Sequence, residues 1–161
     1  MSAEITLSLN SANRSSLADS PFDCTVPFAS GAVRDVKYMR LSSINIDDDG
    51  NPLTNYVFIQ LVGPGQTKNI AEYAGNIANN VVLKFQLPGN KVPGQWVANG
   101  MIEVANSHAH GATVRDIRLR VLNPDLTPYY GTEASGVDWS TSTANWSFDL
   151  TLITEPTRPS A

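Results

Sequence analysis

The chain is short of charge, almost without cysteine, and has no long apolar run. Charged residues are 16 % of its 161 residues, against about 25 % in an average soluble domain. Two explanations stay open: partners cover much of the surface, or Asn, Ser and Thr replace charge as the groups that face water. The one cysteine, Cys24, excludes an internal disulfide and fits a reducing compartment. No apolar stretch approaches the ~18 residues of a membrane span, and no charged-then-apolar leader opens the sequence. Synthesis and assembly in the cytosol are therefore expected, and the sequons at Asn13 and Asn145 then go unused. Net charge is −4, so the composition is not that of a nucleic-acid binder.

Motifs of catalysis are missing too. There is no G-x-S-x-G elbow, no H-E-x-x-H and no Walker loop. Gly63-Pro64-Gly65-Gln66-Thr67-Lys68 has the wrong spacing for a phosphate loop and reads as a turn. Asn45-x-Asp47-x-Asp49-Gly50 opens like a calcium loop, but Tyr56 stands where the bidentate glutamate is due. That stretch reads as a hairpin turn. His108 and His110 supply two imidazoles where a zinc site needs more ligands. Cys24 falls on the apolar face of its segment, as a core residue would. The chain is expected not to be an enzyme, and to take no cofactor, metal or small-molecule substrate.

What is present is alternation. Ile5, Leu7 and Leu9 share one face; Phe22, Cys24, Val26 and Phe28 share another; Met39 and Leu41 share a third. Period 2 marks strands with one buried side. Further strands are predicted over Tyr56–Val62, Val81–Leu87, Trp96–Ala105, Val114–Leu122 and Trp146–Ile153. Tyr56–Val62 is apolar on both sides and should be central. Between Thr67 and Ala78 the period changes: Ile70, Tyr73, Ala74 and Ile77 have helical spacing, with Thr67 as a plausible N-cap. The expected fold is all-β, a single eight-stranded jelly-roll sandwich with one short helix. It should span 1–154, with 155–161 as a C-terminal tail.

Two groups of residues are candidates for interfaces. Arg34, Lys37, Arg40, Arg115, Arg118 and Arg120 are six of the eleven basic residues. They lie in or just after two segments that echo one another, Gly31–Lys37 and Gly111–Arg118. If both strands share a sheet, its outer face is a basic patch for an acidic neighbour, anionic lipid or nucleic acid; otherwise they are solvated faces with local acids. The second group is in the long loop Asn123–Asn145, where Tyr129, Tyr130 and Trp139 are the types that anchor interfaces or stack on sugars. Trp96 and Trp146 alternate like core positions instead.

The opening resembles a known family. A short apolar strand (Ile5–Leu9) precedes Asn13-Arg14, then Pro21-Phe22-Asp23, the alternating Thr25–Phe28, and Val36-x-x-Met39-x-Leu41 running to Ile46. Phe148-Asp149-Leu150-Thr151-Leu152 closes the chain. These elements are similar to those of minor capsid and penton-type single jelly-roll proteins of large icosahedral double-stranded DNA viruses and virophages. The resemblance covers roughly the first sixty residues and the end. It implies a structural virion protein, at a penton vertex or as a minor capsid protein, assembled in the host cytoplasm. Its partners would be copies of itself and other capsid proteins, with an internal membrane as a further candidate and no specific nucleic acid. The alternative from the aromatics is a carbohydrate- or receptor-binding β-sandwich module.

Overall fold

The computed structural model describes residues 3–47, 54–87, 96–97, 102–104, 111–131, 133 and 137–155, with the backbone alone at Asp47, Gln86, Trp96 and Val97. The fold is all-β, and its strands pair antiparallel. In chain order they are β1 (Ala3–Asn10), β2 (Asp23–Pro27), β3 (Val33–Asp47), β4 (Tyr56–Gly63), β5 (Ile70–Tyr73), β6 (Asn76–Asn79), β7 (Val81–Gln86), β8 (Trp96–Val97), β9 (Ile102–Glu103), β10 (Ala112–Val114), β11 (Asp116–Leu122) and β12 (Asn145–Thr154). Two single turns of 3-10 helix, Ser11–Asn13 and Trp139–Thr141, complete the described residues. The first sheet runs β1-β12-β3-β10, with β9 also on β3; the second runs β2-β11-β4-β7-β8.

The sheets enclose one core, as in a sandwich. Leu9, Met39, Leu41, Phe148, Leu150 and Leu152 enter it from the first sheet; Cys24, Val26, Ile59, Leu61, Phe85, Ile117 and Leu119 enter from the second. Alternation in the sequence places Phe22, Val26, Phe28, Met39, Leu41, Phe148, Leu150 and Leu152 on inward faces, and all eight are buried. The long strand β3 holds its apolar face inward by slipping register twice. Ser147 faces Asn45 while Asp149 faces Ser42, and Ile153 faces Tyr38 while Thr154 faces Val36. At the first slip Ser43 takes a φ of 53°. Each slip restores the parity of the strand, so Val36, Met39, Leu41, Ile44 and Ile46 are all buried despite uneven spacing. As expected, β4 is central, between β11 and β7.

Three expectations fail. The helix over Thr67–Ala78 is instead a hairpin, β5 with β6, paired from Ile70↔Asn79 to Tyr73↔Asn76. Ala74 and Gly75 both have positive φ, 48° and 86°, as a two-residue primed hairpin turn requires. Ala71 and Ala78 point inward onto Val81 and Leu122, forming a small second cluster with Phe58 and Leu126. Ile70 and Ile77 point outward, 49 % and 60 % exposed. The small residues face in and the large ones out, so the real period of 2 is hidden behind an apolar pattern at helical spacing. Asn80 pins the segment's base, donating to the carbonyls of Leu61 at 2.8 Å and Gly65 at 3.0 Å.

Trp96–Ala105 is not one strand: β8 lies on β7 in the second sheet and β9 on β3 in the first. The expected Val114–Leu122 also divides. Chain in β10 pairs with β3, then crosses at Arg115 into β11 of the other sheet. The entry to β10 is tight. A Cβ on Gly111 would lie 2.3 to 2.5 Å from backbone atoms of Asp35, so only glycine fits there. The strand count thus exceeds eight.

Candidate functional site

The six basic residues do not form one sheet face. Lys37 and Arg40 belong to β3 of the first sheet, Arg118 and Arg120 to β11 of the second. Met39 and Leu41 point into the core, so Arg40 points out of the first sheet. Ile117, Leu119 and Val121 do the same in β11, so Arg118 and Arg120 point out of the opposite side. This overturns the expected single basic patch. The echoing segments nevertheless meet: Val33 pairs with Val114 and Val36 with Ala112. That pairing sets Arg34 and Arg115 at the same end of the sandwich.

Among the described residues, acids engage Arg40, Arg118 and Arg120. Asp23 takes Arg118 Nη2 at 3.0 Å and Arg120 Nε at 3.5 Å, and Arg40 lies 3.8 Å from Glu4. All these groups are substantially exposed, so the pairs contribute little to stability. Arg115 and Arg118 line a shallow cleft of about 440 Å³ with Thr25, Val62 and Pro64.

The loop aromatics are divided. Tyr129 and Trp139 are 1 % and 6 % exposed, which corrects their expected role as intermolecular anchors. Phe22 meets both edge-on, at 4.8 Å and 6.2 Å between ring centres. They close the end of the core because the loop doubles back. Tyr129 N–H donates to Val121 O, and the Asn123 amide donates to Thr127 Oγ1 and Pro128 O.

Arg14, from the Asn13-Arg14 step, ties the same end together. It is buried, and among the described residues its guanidinium donates to main-chain carbonyls alone: Asp19 at 2.9 Å, Ser11 at 3.0 Å, Leu17 at 3.1 Å and Trp139 at 3.2 Å. A planar fork of five donors suits such a cluster. Beside it, Trp146 Nε1 and Cys24 Sγ both donate to Pro21 O. Burial pushes the Cys24 thiol up to about 12, so it stays protonated and is a poor nucleophile at neutral pH.

Of the loop aromatics, Tyr130 reaches a cavity among the described residues. Trp139 stacks near one of its faces, 6.3 Å between centres and 23° between planes. Tyr130 lines a cleft of about 360 Å³ with Tyr73, Thr54, Asn123, Pro124 and Asp125. The hydroxyl of Thr127, then its backbone N–H, holds the Asp125 carboxyl below the usual carboxylate range, so it is ionised at neutral pH. Two phenols, a carboxylate, an amide and a hydroxyl around a concave wall can stack on a sugar ring and bond its hydroxyls. Tyr73 is hidden in the sequence because the apolar residues of its segment recur at helical spacing, while the segment is a hairpin. The hairpin turn at Ala74-Gly75 was the available signal.

His108, His110 and Asp49 lie outside the described residues, as does the tail beyond Glu155. Among the described residues no group of three His, Cys, Asp or Glu side chains could hold a metal ion. No family model matches the chain, and no curated protein matches it.

Proposed function

We propose that the protein is a structural virion component: a single jelly roll that works by packing against copies of itself and other capsid proteins. The strand order carries this reading. Set aside the hairpin β5–β6 and the two-residue β8, and take β9 with β10 as one strand. Eight strands remain, and the sheets read first-eighth-third-sixth and second-seventh-fourth-fifth. Every connection but that from β4 to β7 passes from one sheet to the other. That winding is what a jelly roll of two Greek keys requires. Jelly rolls also serve other functions. The capsid assignment within the class rests on the opening, whose resemblance to penton-type and minor capsid proteins falls on β1, Arg14, β2 and β3. Arg14 and the two register slips of β3 explain physically why that spacing suits this fold. Quantitative mass spectrometry of purified particles tests the reading. A fixed stoichiometric ratio to the major capsid protein is expected, and absence from particles overturns it.

A second reading has one specific observation in its favour, the cleft between Tyr73 and Tyr130. There the protein is a saccharide-binding sandwich. Glycan-array binding that Tyr73→Ala removes without changing the melting temperature would favour it; an array with no binding counts against it.

A further inference from the structure

A sheet edge exposes unpaired N–H and C=O groups, and folded proteins blunt their edges with short strands, charge, proline or bulges. Of the outer strands of the two main sheets, β2 has five residues and ends in Pro27, and β10 has three. The longest outer strand among the described residues is β1. It has eight residues, Ala3–Asn10, without proline, lysine or arginine. It pairs with β12 along its whole length, Ala3↔Thr154 to Asn10↔Ser147, with no register slip to twist it away. Its one charge, Glu4, already faces Arg40. Among the described residues nothing pairs with its other side, where about four residues direct N–H and C=O outward.

We infer that β1 is a self-association edge, which joins two copies of the chain through an antiparallel β1–β1 pair. Only an extended chain can satisfy a row of strand-spaced donors and acceptors. The side chains of β1 complement themselves in that arrangement. Around a two-fold axis at Leu7, Ile5 faces Leu9 of the other copy, Thr6 faces Ser8, and Glu4 faces Asn10. Apolar meets apolar, polar meets polar, and the one carboxylate never opposes itself. A parallel, in-register pair would stack Glu4 on Glu4, which is unfavourable. The core-side face gains as well. Ile5, 41 % exposed, would be covered by the second copy, and the two first sheets would become one continuous sheet. This inference does not depend on the chain entering a particle.

The contact is small. Eight residues span about 27 Å, and a pair of strands buries less than the ~1,200 Å² of a standard interface. The dimer should therefore be weak and form in the upper micromolar range. Sedimentation velocity between ~10 µM and ~1 mM should show a reversible monomer–dimer equilibrium. Over that range, amide hydrogen exchange should slow within 3–10 and nowhere else. Ile5→Lys puts an inward charge on the edge, and should stay monomeric throughout with a melting temperature close to wild type. Should that variant fail to fold, the concentration-dependent exchange of the wild type decides alone. A wild-type monomer at ~1 mM, protection that grows outside 3–10, or a folded Ile5→Lys variant that still dimerises overturns the inference. Any of these would return the edge to a strand from a different chain or to solvent.

Discussion

Arg14 brings a guanidinium into a nearly closed site and, among the described residues, meets no carboxylate within bonding distance; four carbonyl dipoles do the work of a counter-ion. Arg14→Lys keeps the charge but loses the planar fork, and so leaves some of those carbonyls without a donor. Destabilisation by more than about 2 kcal/mol is expected in urea unfolding. An unchanged midpoint would show that water replaces the guanidinium at no cost. Phe148, 2 % exposed and stacked 4.8 Å from Trp146, is the plainest core position. Phe148→Ala should cost ~3–5 kcal/mol, read as a fall in melting temperature. Cys24 makes a prediction about pH. Its folded pKa of about 12 exceeds the ordinary 9.0, so the unfolded thiol ionises first. Its contribution to stability is complete below pH 9 and is lost as pH rises toward 12, by up to ~1.4 kcal/mol per pH unit. Cys24→Ala should flatten that alkaline limb, and the folded wild type should resist iodoacetamide at pH 8. Rapid alkylation of native protein would contradict the burial.

At the scale of elements, the hairpin and the long loop are the segments where pattern and structure part. The β5–β6 hairpin depends on its turn, because Gly75 sits at a φ of 86°. Gly75→Val should strain that turn by roughly 1–2 kcal/mol. It should speed hydrogen exchange in 70–79 while leaving β3 and β12 protected. Uniform acceleration would mean that the hairpin is integral to the sandwich. The loop behaves in the opposite way. A surface loop bearing three aromatics would tolerate deletion, but Tyr129 and Trp139 lie in the core with Phe22. Removing 129–139 should lower the melting temperature sharply, a result that circular dichroism can check. A deletion variant as stable as wild type would show that the aromatics only cover the sandwich. Both cases follow from the same physics. Size and polarity in a segment reveal which residues could be buried; the segment's neighbours decide which are. Legible from residues alone were the alternating strands β1, β2, β4, β7 and β12, whose large apolar residues face inward. Illegible were segments in which alanines face inward, or in which a loop supplies the core with aromatics.

At the scale of the molecule, one core spans both sheets, so the sandwich should unfold as a single cooperative unit. Tryptophan fluorescence and far-UV circular dichroism should give coincident urea transitions; separated midpoints would mean that the sheets melt independently. What the sequence by itself determined was the fold class, the eight principal core positions and the central place of β4. Those follow from period-2 alternation, a local property of strands with one or two buried faces. Tertiary structure alone decided that Arg40 and Arg118 face opposite ways, because sheet membership depends on pairing between distant segments. It alone decided that the chain changes sheets at Arg115, and that Gly111, before β10, lies against the backbone of Asp35. It alone left β1 as the longest open edge among the described residues, since an edge is defined by the strand that is not beside it.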